Sequence, residues 1–354
     1  MLSSQNAVPE WVLLYTGFHL PRNMPKQIER VLVLGATGHI GQAVVRHALA
    51  NGREVTAASR RADPEELRGL GVNIVQTDGE FSSLADLAAG HDLLVDAAAP
   101  YLLGLGLPGT PEWSAQVDYS LRRTESVINA ARRHGLRLAF VSSYATLPRK
   151  DGPLEGAAAL WRRSVCPYFE AKAAMEQAVM AAAREGLPAV IVNPAAFVGP
   201  WEFRQADWNF VPLVLAGKLP VVTDGTMCVI DVRDVADAID RALARELYGR
   251  VIPLAGHNIC PWDLVMRTAR LAGLPSRLPL VVNALASSAA AYWAHLAYQG
   301  FGLRPPPFLG FITLSSEIMP LEHSPEQLAL GVTIRPLEQS LRDAVAFHRA
   351  RLAD

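Results

Sequence analysis

Lysine is scarce in this chain of 354 residues: only Lys26, Lys150, Lys172 and Lys218 among 33 basic positions. A basic excess is also missing, since 33 Lys and Arg stand against 34 Asp and Glu, a net charge of −1. Phosphate-backbone binding needs clustered cations that release counterions, so a nucleic-acid partner is excluded. The three cysteines, Cys166, Cys228 and Cys260, are odd in number and far apart. With no CxxC or Cys/His spacing they exclude a disulfide framework and a metal site, and read as free thiols in a cytoplasmic chain. Long spanning runs are absent too. WVLLYTGF, within residues 1–27, is too short to cross a bilayer and lacks the flanks of a signal peptide. Residues 1–27 therefore read as an N-terminal extension, as from a start codon upstream of Met24. From Leu278 to Leu303 there is no Asp, Glu, Lys or Arg, but Pro279, Asn283, Ser287, Ser288, His295 and Gln299 make a poor spanning helix. An Ala-rich helix packed in a second lobe, without a stable membrane span, is expected there.

What the chain has is apolar content, 50% of residues, which excludes disorder. Short β-branched runs alternate with helical segments from Arg30 onward: strands at 31–35, 54–59, 72–77, 92–98, 137–143 and 189–193, helices at 39–50, 111–134 and 167–185. Apolar strands without polar alternation, separated by helices, predict a parallel sheet covered on both faces. After Pro194 the rhythm breaks into aromatic and Pro-rich loops, helices at 232–247 and 261–273, and a terminal helix at 337–352. The expected class is α/β: a Rossmann-type doubly wound parallel sheet over 28–198, and a smaller, discontinuous C-terminal substrate lobe over 199–354 from which 229–255 return to the core.

Where the first strand hands over to the first helix stands Gly35-Ala36-Thr37-Gly38-His39-Ile40-Gly41. Glycines there allow a tight turn and close approach of a pyrophosphate, to which the helix N-terminus offers N–H groups and a positive dipole end. A second glycine cluster, Gly104, Gly106 and Gly109, has GxGxxG spacing but follows Pro100, carries Pro108 and opens no helix. It reads as a loop beside the active site. Strand two ends Ala57-Ala58-Ser59-Arg60-Arg61, without a carboxylate until Asp63. An acidic residue at that end reads the ribose 2′-hydroxyl of NAD, whereas two arginines suit a 2′-phosphate, so NADP(H) is favoured over NAD(H).

Tyr168 and Lys172 are four apart in YFEAK, which places both on one helix face. A nearby ammonium stabilises a phenolate, which otherwise forms only near pH 10, and so fits the tyrosine for acid/base work. With eight tyrosines and four lysines, about 0.1 such matches arise by chance, so the pair alone is moderately specific. Strand five ends in Ser142-Ser143, where a hydroxyl would point into the ligand crevice and polarise a carbonyl.

Together GATGHIG, the serines of FVSSYAT, YFEAK and NPAAFVGP follow the order of the extended short-chain dehydrogenase/reductase family, and the chain resembles that family over about residues 30–352. The resemblance is nearest to its dihydroflavonol reductase and 3β-hydroxysteroid dehydrogenase branch. It implies Tyr168 as general acid/base, Lys172 as its electrostatic partner and ribose anchor, and Ser143 as donor to the substrate oxygen. The same matching implies that Asp78 and Gly79 contact the adenine, and that Ala97, Ala98 and Ala99 line the cofactor. It places Asn193 and Pro194 at the nicotinamide, with Ser142, Ala195 and Ala196 as further cofactor contacts. A dehydratase of this family would carry an acidic pair after its catalytic hydroxyl, where this chain has Tyr144-Ala145. Substrate contacts are expected from Tyr101, Leu102, Tyr144, Trp201, Phe203 and Trp208. Phe210, Tyr292, Trp293, Tyr298, Phe301 and Phe308 add to the aromatic lining, with Arg204 as the nearby cation. Such a lining suits an apolar, aromatic or polycyclic ketone or alcohol. The alternatives are a nucleotide-sugar epimerase and a catalytically silent NADP-sensing protein. Family members are often dimers through helices matching 111–134 and 167–185.

Overall fold

The computed structural model describes residues 27–78, 83–98, 110–148, 167–203, 209–219, 221–275, 279–306, 309, 312 and 319–353. Residues 1–26 of the N-terminal extension, Gly79, Ala99, Tyr101, Leu102, the second glycine cluster, Cys166, Arg204, Trp208 and Phe308 lie outside the described residues.

Seven strands form one sheet: β1 (Arg30–Leu34), β2 (Glu54–Ser59), β3 (Asn73–Gln76), β4 (Leu93–Asp96), β5 (Arg137–Val141), β6 (Ala189–Pro194) and β10 (Val251–Leu254). Their order is β10-β6-β5-β4-β1-β2-β3 and every pairing is parallel. Because the strands are parallel, all their C-terminal ends lie on one edge. The chain runs outward from β1 through β2 and β3, then returns to start β4 on the other side of β1. That reversal opens a crevice between β1 and β4, where ligands of such sheets bind.

Alternate residues of each strand supply two apolar layers. Val31, Val33, Val55, Val95, Val141, Val190 and Val192 meet helix α1 (His39–Ala50) and helix α6 (Val232–Ala244). Leu32, Leu34, Leu94, Leu138, Phe140 and Ile191 meet α3 (Pro111–His134) and α4 (Tyr168–Arg184) through Val127, Ile128, Met175 and Val179. Helix α3 starts at Thr110, whose side chain accepts from the Trp113 N–H, with Pro111 in the first turn, and it stops at Gly135 in the left-handed conformation. A one-turn helix, α2 (Leu84–Leu87), precedes β4.

The second lobe is built from short pieces: β7 (Ala196–Val198), α5 (Phe210–Leu215), β8 (Val221–Thr223), β9 (Met227–Asp231), β11 (His257–Ile259), α7 (Pro261–Leu271), β12 (Leu280–Val282), α8 (Ala284–Gly300), α9 (Pro325–Leu330) and α10 (Leu337–Ala353). Strands β7, β9 and β11 make a three-stranded sheet, while β8 pairs with β12. Within 229–255, α6 packs on the large sheet and β10 joins it, whereas β9 belongs to the small sheet. Six expected elements are shorter than read from sequence: the strands at 72–77, 92–98 and 137–143 and the helices at 167–185, 232–247 and 261–273. Strand β4 stops at Asp96, whose carboxylate accepts the Ala98 N–H at 3.1 Å and turns the chain.

Helix α8 is inverted relative to an ordinary surface helix. Ala284, Ser288, Ala291 and His295 form its buried face, while Trp293 and Phe301 at its end are 61% and 81% exposed. Tyr292 is half-buried, edge-on to Trp293. The expected aromatic cavity lining is therefore not what Trp293, Tyr298 and Phe301 form, because their rings stand toward solvent. No helix among the described residues is long and apolar enough to cross a membrane.

Candidate active site

The C-terminal ends of β2, β1, β4, β5 and β6 bring Ser59–Arg60, the glycine loop, Asp96–Ala98, Ser142–Ser143 and Asn193 to one edge. Gly35 has φ +76°, and a Cβ there would stand 2.6 Å from the Ala97 carbonyl oxygen. A Cβ on Gly41 would stand 2.0 Å from the Gly35 carbonyl oxygen. Only glycine lets the loop press against the β4 end and the first helical turn at once. Gly38 precedes α1 without a side-chain cap, the arrangement in which first-turn amides take an anion. These features fit the pyrophosphate of a dinucleotide. The His39 side chain is buried: its Nε2 lies 3.0 Å from the Pro200 carbonyl oxygen and its ring meets Phe197 edge-on. Ile40 packs in the core, so at both positions it is the backbone that can serve a ligand; Thr37 is half-buried beside them.

The two arginines after β2 differ. Arg61 donates to Glu66 at 2.5 Å, and its N–H donates to Ser59 Oγ at 3.0 Å. The Arg60 guanidinium is exposed and has no partner among the described residues, while its carbonyl accepts from Gln76. Asp63 is taken by Arg68. Asp78 is exposed just beyond β3.

Tyr168 and Lys172 lie in the first two turns of α4, both buried. Lys172 Nζ donates to the Val141 carbonyl at 2.9 Å, fastening the helix to the end of β5. Burial lowers the Lys172 pKa to about 8; Asp96 opposes that shift, Arg123 adds to it and Glu176 opposes it. Asp96 and Arg123 form a bidentate pair with both side chains buried, Arg123 Nη1 to Asp96 Oδ2 being 2.9 Å. Burial pushes the Asp96 carboxyl up, but Arg123, the Ala98 N–H and Lys172 outweigh it and hold it below the usual range.

Ser143 is buried and extended, and its Oγ accepts from the Ala145 N–H at 3.2 Å. The hydroxyl proton has no acceptor among the described residues and remains available to a ligand oxygen. Tyr144 is half-buried in the turn that follows. Ser142 Oγ donates to Glu176 Oε2 at 2.5 Å. The Asn193 side-chain nitrogen reaches the Ser143 carbonyl at 3.0 Å, Thr146 Oγ1 at 2.7 Å and Glu176 Oε2 at 2.8 Å. Its Oδ1 is buried with no partner among the described residues, an acceptor left for a ligand donor at the β6 end. Pro194 and Ala195 are buried beside it, with Ala196 and the two alanines after Asp96 partly accessible.

Two expected substrate contacts are placed elsewhere. Trp201 takes φ +73° and stacks under the Arg46 guanidinium at 4.7 Å, against the core beneath α1. Phe203 meets Phe347 edge-on at 5.0 Å and carries the Arg351 guanidinium over its own ring at 4.6 Å, so it fastens α10. The residues that sequence reading missed are Asp96, Arg123, Thr146 and Glu176. Glu176 had a signal: it lies four residues beyond Lys172, on the same helix face. A cavity of about 390 Å³ lined by Arg30, Arg53, Thr56, Asn73 and His91 lies at the opposite, N-terminal edge of the sheet and shares no residue with this constellation.

The sequence model described as the NAD dependent epimerase/dehydratase family matches residues 31–254. Sterol demethylase protein B of Methylococcus capsulatus is 28% identical over 331 residues, 90% of this chain and 98% of its own length. A Synechocystis protein provisionally named dihydroflavonol 4-reductase is 27% identical, covering 88% of this chain and 92% of its own. The crystal structure of a nucleoside-diphosphate-sugar epimerase from Pseudomonas aeruginosa shares the fold, with TM-score 0.69, 21% identity, and coverage of 91% of this chain and 98% of that one. Glycine loop, switch-point crevice and family match converge: this chain belongs to the NAD dependent epimerase/dehydratase family, and is an NAD(P)-dependent enzyme of the extended short-chain dehydrogenase/reductase type.

Proposed function

We propose that the enzyme is an NADP(H)-dependent oxidoreductase that interconverts a ketone and a secondary alcohol on an apolar, aromatic or polycyclic small molecule. The observation that carries the reading is the seating of Tyr168, Lys172 and Ser143 at one sheet edge, with the Ser143 proton unclaimed. When bound, NADPH supplies the hydride that adds to the carbonyl carbon. Ser143 donates a hydrogen bond to the carbonyl oxygen and so stabilises the charge that gathers there. Tyr168 gives that oxygen its proton, and the Lys172 ammonium steadies the phenolate left behind. Reversal of each transfer oxidises the alcohol.

The glycine loop would hold the pyrophosphate, Arg60 the 2′-phosphate and Asn193 Oδ1 a donor of the nicotinamide end. Arg61 is paired with Glu66, whereas Arg60 has no side-chain partner among the described residues, which supports NADP(H). The substrate class draws support from two relatives named for a sterol demethylase component and a dihydroflavonol reductase. The epimerase reading draws on the named epimerase that shares the fold; it differs in requiring tightly held cofactor and no net NADPH consumption.

The test is steady-state NADPH oxidation across a panel of apolar ketones. Tyr168→Phe is expected to lower kcat by about 10³-fold, the range of a lost general acid, while cofactor affinity stays near wild type. Full turnover by that variant would defeat the assignment.

A further inference from the structure

A single carboxylate oxygen gathers three segments of the site. Glu176 Oε2 accepts from Ser142 Oγ at the end of β5, from Thr146 Oγ1 in the 3-10 turn at 2.8 Å, and from the Asn193 amide at the end of β6 at 2.8 Å. The Asn193 amide has two protons and also donates to the Ser143 carbonyl at 3.0 Å, and Thr146 Oγ1, 2.9 Å from that carbonyl, has one proton to give to it or to Glu176. The Asn193 amide cannot be turned over, because its oxygen would then face the Ser143 carbonyl, which has no proton to give. Glu176 itself stands one turn beyond Lys172 and two beyond Tyr168 on α4. The peptide that carries the Ser143 hydroxyl is thus tied, through one side chain, to the helix that carries the phenol and the ammonium.

We propose that Glu176 is a positioning residue: it fixes the Ser143 hydroxyl in register with Tyr168 and Lys172 and balances the buried lysine charge. The inference rests on the oxidoreductase reading for its kinetic consequences. Three donors on one oxygen hold that oxygen in place, and charge-assisted bonds of this kind are the strong ones. Two anions, Asp96 and Glu176, favour the charged form of Lys172 against burial and Arg123. Asp96 is already engaged by Arg123 on both oxygens, so Glu176 is the anion not neutralised by a guanidinium.

The test compares Glu176→Gln, which keeps an acceptor oxygen without the charge, with Glu176→Ala, which keeps neither. For a ketone the wild type reduces, kcat is expected to fall about 10-fold in the first and about 100-fold in the second, with KM and NADPH affinity within about twofold of wild type. The basic limb of the Glu176→Gln pH profile is expected to move to lower pH by about half a unit or more. Comparable kcat in wild type and Glu176→Gln with an unmoved limb overturns the proposal, as does loss confined to KM or cofactor affinity. Where Glu176→Ala does not fold, Glu176→Gln carries the comparison alone. A second readout is independent of activity: with four lysines in the chain, ¹⁵N-lysine NMR resolves each ammonium, and Lys172→Arg assigns its signal. The Lys172 midpoint is expected lower in Glu176→Gln, and an unchanged midpoint overturns the charge role. A wild type that reduces no ketone while that midpoint still shifts would defeat the oxidoreductase reading and leave Glu176 in place.

Discussion

Lys172 is an ammonium almost without water, held by one carbonyl and a ring of charges. Its pKa of about 8 makes it a titrating group in the working range, not a fixed cation. In the proposed reaction, reduction leaves a phenolate at Tyr168, which the charged lysine stabilises and the neutral lysine does not. Because the folded value lies below the ordinary one, the charged form is the one lost as pH rises. Accordingly kcat/KM for reduction should fall as pH passes through about 8, read from initial rates at low substrate. At the neighbouring end of β2, Arg60→Ala should weaken NADPH about 10- to 100-fold and leave NADH affinity unchanged, measured by fluorescence titration. Equal loss for both cofactors would show that Arg60 does not read the phosphate. Sequence made these residues visible for different reasons. Tyr168 and Lys172 announce themselves by a local spacing, and Glu176 extends it by one more turn. Asp96 and Arg123 do not, since 27 residues separate them and only the packing of α3 beneath β4 makes them partners. Taken alone, each reads as a strand-end acid and a surface helix arginine. A pair this deeply buried is worth little net stability intact, yet removing one member strands the other charge.

At the scale of elements, β1, the glycine loop and α1 were legible almost to the residue, because strand, turn and helix are each set by local chemistry. Gly41 shows how narrow that chemistry is. It is helical and free of backbone strain, so a methyl group there is excluded only by the Gly35 carbonyl at 2.0 Å, a backbone atom that cannot step aside. Gly41→Ala should therefore destabilise the fold by about 1–3 kcal/mol through overpacking and lower dinucleotide affinity with it. Gly52→Ala is the matched control: φ is +71° and nothing lies within 4 Å of its Cβ. That variant should lose about 1–2 kcal/mol from the left-handed conformation alone and keep its cofactor affinity. Denaturant unfolding and cofactor titration of the two variants separate the cases. The short strands after β6 were not legible. Strand β8 finds its partner in β12, almost sixty residues onward, and three-residue strands carry too little pattern to show a period. Helix α8 was expected as a helix, but its outward Trp293 and Phe301 were not, because an Ala-rich sequence does not say which face a lobe will cover.

At the scale of the molecule, the last helix decides whether the two parts act as one. Leu337, Leu341, Ala344 and Val345 of α10 complete the lobe's apolar cluster with Val198, Val211, Val229, Ile259 and Leu264. The polar side of the same helix reaches back to elements around the seven-stranded sheet: Asp343 pairs with Arg233 of α6 at 2.7 Å, and Arg351 with Glu65 after β2 at 2.6 Å. His348 faces Glu202 at 3.7 Å, on the segment that also packs against His39 of the glycine loop. The exposed ion pairs add little each, whereas the apolar cluster is close-packed. Stability should then follow burial along the helix and not its charge. Leu341, fully buried, and Leu352, 77% exposed, make the comparison within one element and one residue type. Leu341→Ala should cost about 2–5 kcal/mol by the loss of transfer energy and the cavity left behind. Leu352→Ala should stay within about 0.5 kcal/mol of wild type. Guanidinium unfolding measures both, and hydrogen exchange tells where the Leu341→Ala loss falls. Protection lost across β7, β9 and α7 while β1, β4 and β5 keep theirs would show the lobe opening as its own unit. Protection lost together across both sheets would show that α10 makes the enzyme a single cooperative body, in which the lobe cannot open without the large sheet loosening too.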